Sequence, residues 1–187
     1  MLAYVFWHWP QANVDAQLYR THLIEFHEIL ARNKPPGFRY SAVFAIGAAP
    51  WLAASGNAYE DWYIVEDSSG LDPLNEGAVS GVCEEPHNRV AREAAGGTAG
   101  LYGFRDGTID FGNSRYANWI SKPNGMSYAE FYELMRPFVQ VEGAALWGRR
   151  MTLGPTTEFC LMTGKQTVMP AGLEGLEIAL DAVWSGA

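Results

Sequence analysis

The chain of 187 residues is 48% hydrophobic and 13% aromatic, with a formal charge of -8 and a pI near 4.9. That apolar content can bury a full core, as one compact domain or two fused half-domains, and it excludes disorder. The acidic balance, with no cluster of Lys and Arg, argues against a nucleic-acid or anionic-membrane partner and leaves a small, neutral or apolar ligand as the better fit.

Cys83 and Cys160 show no C-x-x-C spacing and make no disulfide framework, so a reducing cytoplasm is the expected compartment. No basic stretch precedes the apolar N-terminal run, and no segment approaches about 18 uninterrupted apolar residues. A soluble, unprocessed protein is therefore expected.

Leu2 to Trp9 is aromatic and β-branched, hence strand-like. Leu2, Tyr4, Phe6 and His8 share one face, Ala3, Val5, Trp7 and Trp9 the other, and Pro10 ends the run. From Asn13, an N-cap candidate, to Asn33 the apolar positions Leu18, Tyr19, Leu23, Phe26, Ile29 and Leu30 recur at helical spacing until Pro35-Pro36-Gly37 blocks continuation.

Phe38 to Ile46 reads as a strand, Gly47 to Ala58 as a loop, and Tyr59 to Val65 as a third strand. Asp67 to Ala95 reads as a broken helical region in which Gly81 interrupts, Pro86 sits in a first turn and Gly96-Gly97 stops the second piece. Leu101 to Phe104 supplies a fourth strand, giving the β-α-β-β-α-β order. Asp106-Gly107 then predicts a tight hairpin turn between LYGFR and TIDFG.

The second half repeats the first, with Tyr4, Trp7 and Pro10 returning as Tyr116, Trp119 and Pro123. Ser127 and Glu130 form a capping box before a helix carrying Phe131, Leu134, Met135 and Phe138, which Pro137 should kink or end. Strands follow at Gly143 to Leu153 and Glu158 to Met162, and residues 165–187 hold either a last strand near Leu176 to Trp184, the preferred reading, or a short helix. The predicted repeats span residues 1–112 and 113–187, the second abbreviated. Each sheet covers one face with its own helices and needs a second sheet for the other, so the fold class expected is α+β, two antiparallel sheets packed into a barrel with a cleft at its mouth.

The repeated Tyr-Trp-Pro pattern and the element order resemble the dimeric α+β barrel superfamily in fused form, which includes antibiotic-biosynthesis monooxygenase-like, EthD-like, chlorite-dismutase-like and dye-decolourising-peroxidase-like proteins. Gly103-Phe104-Arg105-Asp106-Gly107 is also similar to the G-x-x-D-G motif of dye-decolourising peroxidases, which would make Asp106 a distal haem acid; the competing reading is an ordinary turn. No histidine follows His87, so that family's proximal haem ligand has no counterpart.

His8 shares a strand face with Tyr4 and Phe6, where an imidazole can shuttle a proton or orient a phenolic or carbonyl ligand; the structural alternative is a strand-end histidine bonded to backbone. His22 lies in the apolar stripe of the first helix and should face the sheet, whereas His27, at its edge, should be exposed. Cys83-Glu84-Glu85-Pro86-His87 places a thiol, two acids and an imidazole together, but Pro86 disfavours the continuous helix a Cys-His pair would need. Glu60 and Asp61, among aromatics on a central strand, need partners, and Arg39 with Arg149 and Arg150 are the natural ones. The alternative is a raised-pKa carboxylate acting as a general base. His22 and His27 fall on different helix faces, and no metal, serine-hydrolase or phosphate-binding motif occurs.

The preferred reading is a barrel that binds a small aromatic or apolar molecule in a cleft lined by Tyr4, Phe6, His8, Tyr40 and Trp62, with no cofactor. If the chain is catalytic, the resemblance implies cofactor-independent oxygenase, cyclase or isomerase chemistry, with His8 or His87 moving a proton. The competing readings are a non-catalytic module whose exposed sheet edge pairs in a homodimer and, behind it, a haem protein.

Overall fold

The computed structural model describes residues 1–53 and 56–186; residues 54 and 55, within the expected loop, and residue 187 lie outside the described residues. The first half contains β1 (Leu2–Pro10), α1 (Ala16–Asn33), β2 (Phe38–Ile46), β3 (Ala58–Val65), α2 (Leu71–Val79), α3 (Glu84–Glu93) and β4 (Ala94–Gly107). The second contains β5 (Tyr116–Ile120), α4 (Tyr128–Val139), β6 (Ala145–Arg150), β7 (Phe159–Thr163) and β8 (Gly175–Gly186). Among the described residues no helix is long and apolar enough to cross a membrane.

The strands close an antiparallel barrel in the order β1-β3-β2-β8-β5-β7-β6-β4. Read as two sheets, it is β4-β1-β3-β2 joined to β8-β5-β7-β6, the same order in each half, with β2–β8 and β4–β6 as the seams. The fold is thus α+β, a pair of ferredoxin-like sheets wrapped into one barrel, with a helix-free connection replacing α2 and α3 between β7 and β8.

Strand alternation sends Trp7, Trp62, Trp119 and Trp147 into the lumen, all at 0% exposure. Trp7 meets Trp119 with ring centroids 5.4 Å apart, and Trp62 meets Trp147 at 5.2 Å. An eight-stranded barrel is just wide enough for side chains to fill, and here indoles occupy the space where the sequence predicts a cleft. Each buried tryptophan contributes at most about 4–6 kcal/mol of transfer free energy.

Local signals explain most helix ends. Asp15, rather than Asn13, caps α1, its Oδ1 accepting the Leu18 N–H at 2.8 Å. Lys34 closes the helix with φ 45°, its N–H reaching Leu30 O at 2.9 Å. The Ser127–Glu130 capping box forms as predicted, but Pro137 does not end α4, which runs on to Val139. Pro137 still denies its turn one N–H donor, a small loss so near a helix end.

The predicted hairpin at Asp106-Gly107 is overturned. β4 continues through Gly107 and pairs with β6, and the Thr108 N–H bonds Ala144 O at 2.7 Å. Gly107, at φ 97°, leaves no room for a Cβ, which would fall 2.1 Å from Ala144 O. The glycine is there for this close approach between strands.

Candidate functional site

A cavity of about 730 Å³ lies outside the barrel, between β1, β3 and β4 and the roof of α1, α2 and α3. Tyr4, Phe6 and His8 alternate outward along β1 and form much of its floor. Opposite them on β4 stand Leu101, Ala99 and Gly97, small enough at one end to leave space above the sheet. The Phe6 ring occupies the place of the missing Gly97 side chain, with Cζ 2.4 Å from where a Cβ would sit.

Asp61, 1% exposed, is the charged centre of this floor. Its Oδ2 accepts from the Tyr63 hydroxyl at 3.0 Å and from His27 Nε2 at 3.2 Å. His8 Nε2 also lies 3.2 Å from Oδ2, within ion-pair range but without hydrogen-bond alignment. Behind these rings, His27 Nδ1 meets Ser41 Oγ at 2.8 Å and His8 Nδ1 meets the Tyr19 hydroxyl at 2.7 Å. A hydroxyl can give or take a hydrogen bond, so Tyr19 holds the His8 ring in its neutral and protonated forms alike.

Burial alone would raise the Asp61 pKa, but His8 and His27 outweigh it and hold the carboxyl well below the usual range. Tyr63 and Tyr19 shift upward, first through burial and then through the Asp61 charge. The neighbouring Glu60 behaves oppositely. Burial drives it up to about 7, against hydrogen bonds from the Trp62 and Trp7 indoles at 2.6 and 2.7 Å. Consecutive strand residues point to opposite faces, so Glu60 sits among indoles in the lumen and Asp61 among imidazoles under the helices.

The predicted arginine partners are replaced accordingly. Arg39 pairs with the exposed Glu66 at 2.7 Å, and Arg149 donates to Thr156 O at 2.7 Å. Of the sequence-predicted site residues, Tyr4, Phe6, His8 and His87 come together around the cavity. His87, on α3, packs edge-on to Phe26 with centroids 5.7 Å apart. Trp62 lies in the lumen and Tyr40 packs against the lumen cluster, 5.8 Å from the Phe111 ring, so both occupy the other face of the sheet. Asp106 is exposed at the end of β4 and accepts the Gly107 N–H at 2.8 Å, apart from the cavity lining.

His27 is the residue the sequence reading misplaced, being fully buried rather than exposed. Leu23, Phe26, His27 and Leu30 fall at i, i+3, i+4 and i+7, the spacing of one helix face, and that signal places His27 on the sheet. His22, expected against the sheet, instead bonds Glu93 at the end of α3 at 2.8 Å, tying two roof helices together.

No protein-family model matches the chain, and no curated protein does. Solved structures do resemble it. One is a candidate monooxygenase from Fusobacterium nucleatum subsp. nucleatum, with TM-score 0.66 and 10% identity over 98% of this chain and 93% of that one. Another is a candidate monooxygenase from Lactobacillus acidophilus, with TM-score 0.58 and 10% identity over 98% of this chain and 95% of that one. At such identity the likeness speaks for architecture, and it agrees with the strand order in making the chain a ferredoxin-like α+β barrel.

Proposed function

We propose that the chain binds a small, largely aromatic or apolar molecule in the cavity under α1 to α3 and moves a proton on it through His8. The observation that carries this reading is the Tyr19–His8–Asp61 line at the cavity floor. A proton taken from the ligand at His8 Nε2 leaves an imidazolium beside the Asp61 carboxylate, which stabilises it, while Nδ1 donates to Tyr19. Tyr4, Phe6, Phe26 and Tyr63 supply the aromatic walls, and His87 is a second imidazole lining the same space.

Proton removal from an activated ring or carbonyl compound is the step shared by cofactor-independent oxygenases, cyclases and isomerases, and the names of the structural neighbours fit the first of these. The test is a thermal-shift screen with aromatic compounds, followed by oxygen uptake and product analysis for any that bind. A ligand present at about 100 times its Kd should raise Tm by roughly 5–10 °C. His8→Gln should retain binding and lose turnover. Absence of any shift across a broad aromatic panel would remove the proposal.

A further inference from the structure

Three arginines meet at the β4–β6 seam of a chain whose formal charge is -8. Arg105 lies on β4, in the Gly103-Phe104-Arg105-Asp106-Gly107 stretch, and Arg149 and Arg150 end β6. Arg20, Arg39, Arg89, Arg92 and Arg136 each form an ion pair, whereas among the described residues none of these three does. Cations gathered without counterions repel one another, and a bound anion offsets that cost.

The strands hold these arginines in place. Gly103 and Gly148 stand opposite each other in the ladder. Arg105 lies across Gly148, its Nε 2.5 Å from where a Cβ would sit, and Arg150 lies across Gly103 in the same way at 2.6 Å. Arg149 is held by a hydrogen bond from Nη1 to Thr156 O at 2.7 Å. Arg105 and Arg149 line a pocket of about 200 Å³ with Glu158, Tyr128, Tyr132 and Phe159, beside the first two turns of α4. None of its lining residues belongs to the cavity under α1 to α3.

Two guanidinium groups against one carboxylate leave this pocket positive, and their planar forks match the oxygens of an oxyanion. Its volume is below that of a drug-sized ligand site, so the anion is small. Glu158, which accepts from the Tyr128 hydroxyl, decides between anions. Acetate or sulfate would set a bare oxygen against it. A phosphate monoester, with its second pKa near about 6, has lost its remaining hydrogen by about pH 8. Inorganic phosphate keeps a P–OH there, which donates to Glu158 while the charged oxygens accept from the arginines.

We propose that the pocket is a site for inorganic phosphate, held by Arg105 and Arg149 and selected by Glu158. The full chain is titrated by calorimetry and thermal shift at about pH 8 in low salt, with sodium phosphate, sodium sulfate, methyl phosphate and sodium acetate as probes. Phosphate should bind most tightly. Arg105→Gln removes no ion pair and should weaken phosphate roughly tenfold or more, the ratio for losing a hydrogen bond to a charged group. Gly148→Ala keeps every charge but displaces the Arg105 side chain, and it should weaken phosphate as well. Arg39→Gln, outside the pocket, should not. Absence of phosphate binding by both methods, or binding that survives Arg105→Gln, would overturn the site. Sulfate or methyl phosphate binding as tightly as phosphate would overturn the assignment of its ligand.

Discussion

The two halves of the barrel carry the same scaffold and opposite surfaces under their helices. Aligning Trp7 with Trp119, the outward set Tyr4, Phe6 and His8 on β1 corresponds to Tyr116, Asn118 and Ile120 on β5. Across the ladder, Tyr59, Asp61 and Tyr63 on β3 correspond to Phe159, Leu161 and Thr163 on β7. Under α4 the result is an apolar cluster in which Phe131 stacks on Phe159 with centroids 4.3 Å apart, packed with Met135, Leu146 and Leu161. Under α1 to α3 the same positions hold a carboxylate, its imidazoles and a cavity. Two sheets of the same strand order thus let one helix–sheet interface supply stability while the other gives up close packing for a polar floor.

The strongest way to break this comparison is to remove the charge at the centre of the first half. Asp61→Ala leaves His8, His27 and Tyr63 buried without their shared acceptor and should cost roughly 3–5 kcal/mol in chemical denaturation. Because the Asp61 pKa is depressed in the fold, its stabilisation is present above the unfolded value and disappears as pH falls through the folded one. Acid titration should therefore show a loss below about pH 4 that Asp61→Ala lacks.

On the opposite face, Phe131→Ala should also cost about 3–5 kcal/mol, here through a cavity rather than stranded polar groups. It should leave aromatic-ligand affinity unchanged. A Phe131→Ala variant that lost ligand binding would mean the two interfaces are coupled and the division of labour is wrong.

The sequence showed the scaffold better than the site, for a physical reason. Turn residues, the α1 stripe and the Ser127–Glu130 box act locally, so the elements could be read one at a time. Which face of a strand looks inward depends on register with strands far away in the chain. β1 plainly has two faces, but only the pairing of Val5 with Trp62 and of Phe6 with Asp61 puts Trp62 in the lumen and Asp61 beneath the helices. The same gap misassigned the partners of Glu60 and Asp61, since a carboxylate's neighbours are set by tertiary packing. His27 is different, because its helical spacing contained the answer.

Glu60 offers a sharper probe of the lumen, since its pKa is raised from 4.5 to about 7. The fold favours the protonated acid, so this contribution is complete below the unfolded value and is lost as pH rises to about 7. The loss is on the order of 3 kcal/mol between those limits. Glu60→Gln should flatten that part of the stability profile, whatever its absolute stability. Parallel profiles for the two proteins would show that Glu60 is charged throughout and that the indole N–H groups of Trp7 and Trp62 suffice to hold the anion.

The smallest effect expected is at Arg39, and its size discriminates. With Arg39 paired to Glu66, both more than half exposed, Arg39→Ala should change stability by less than about 1 kcal/mol, and less still in high salt. Were Arg39 instead the counterion of a buried carboxylate on β3, the same substitution would strand that charge and cost roughly 3–5 kcal/mol. A cost in the upper range would mean that Asp61 draws its compensation from an arginine rather than from His8 and His27. The imidazole that stabilises Asp61 would then be free of it, and the proton-moving role of His8 would lose its electrostatic support.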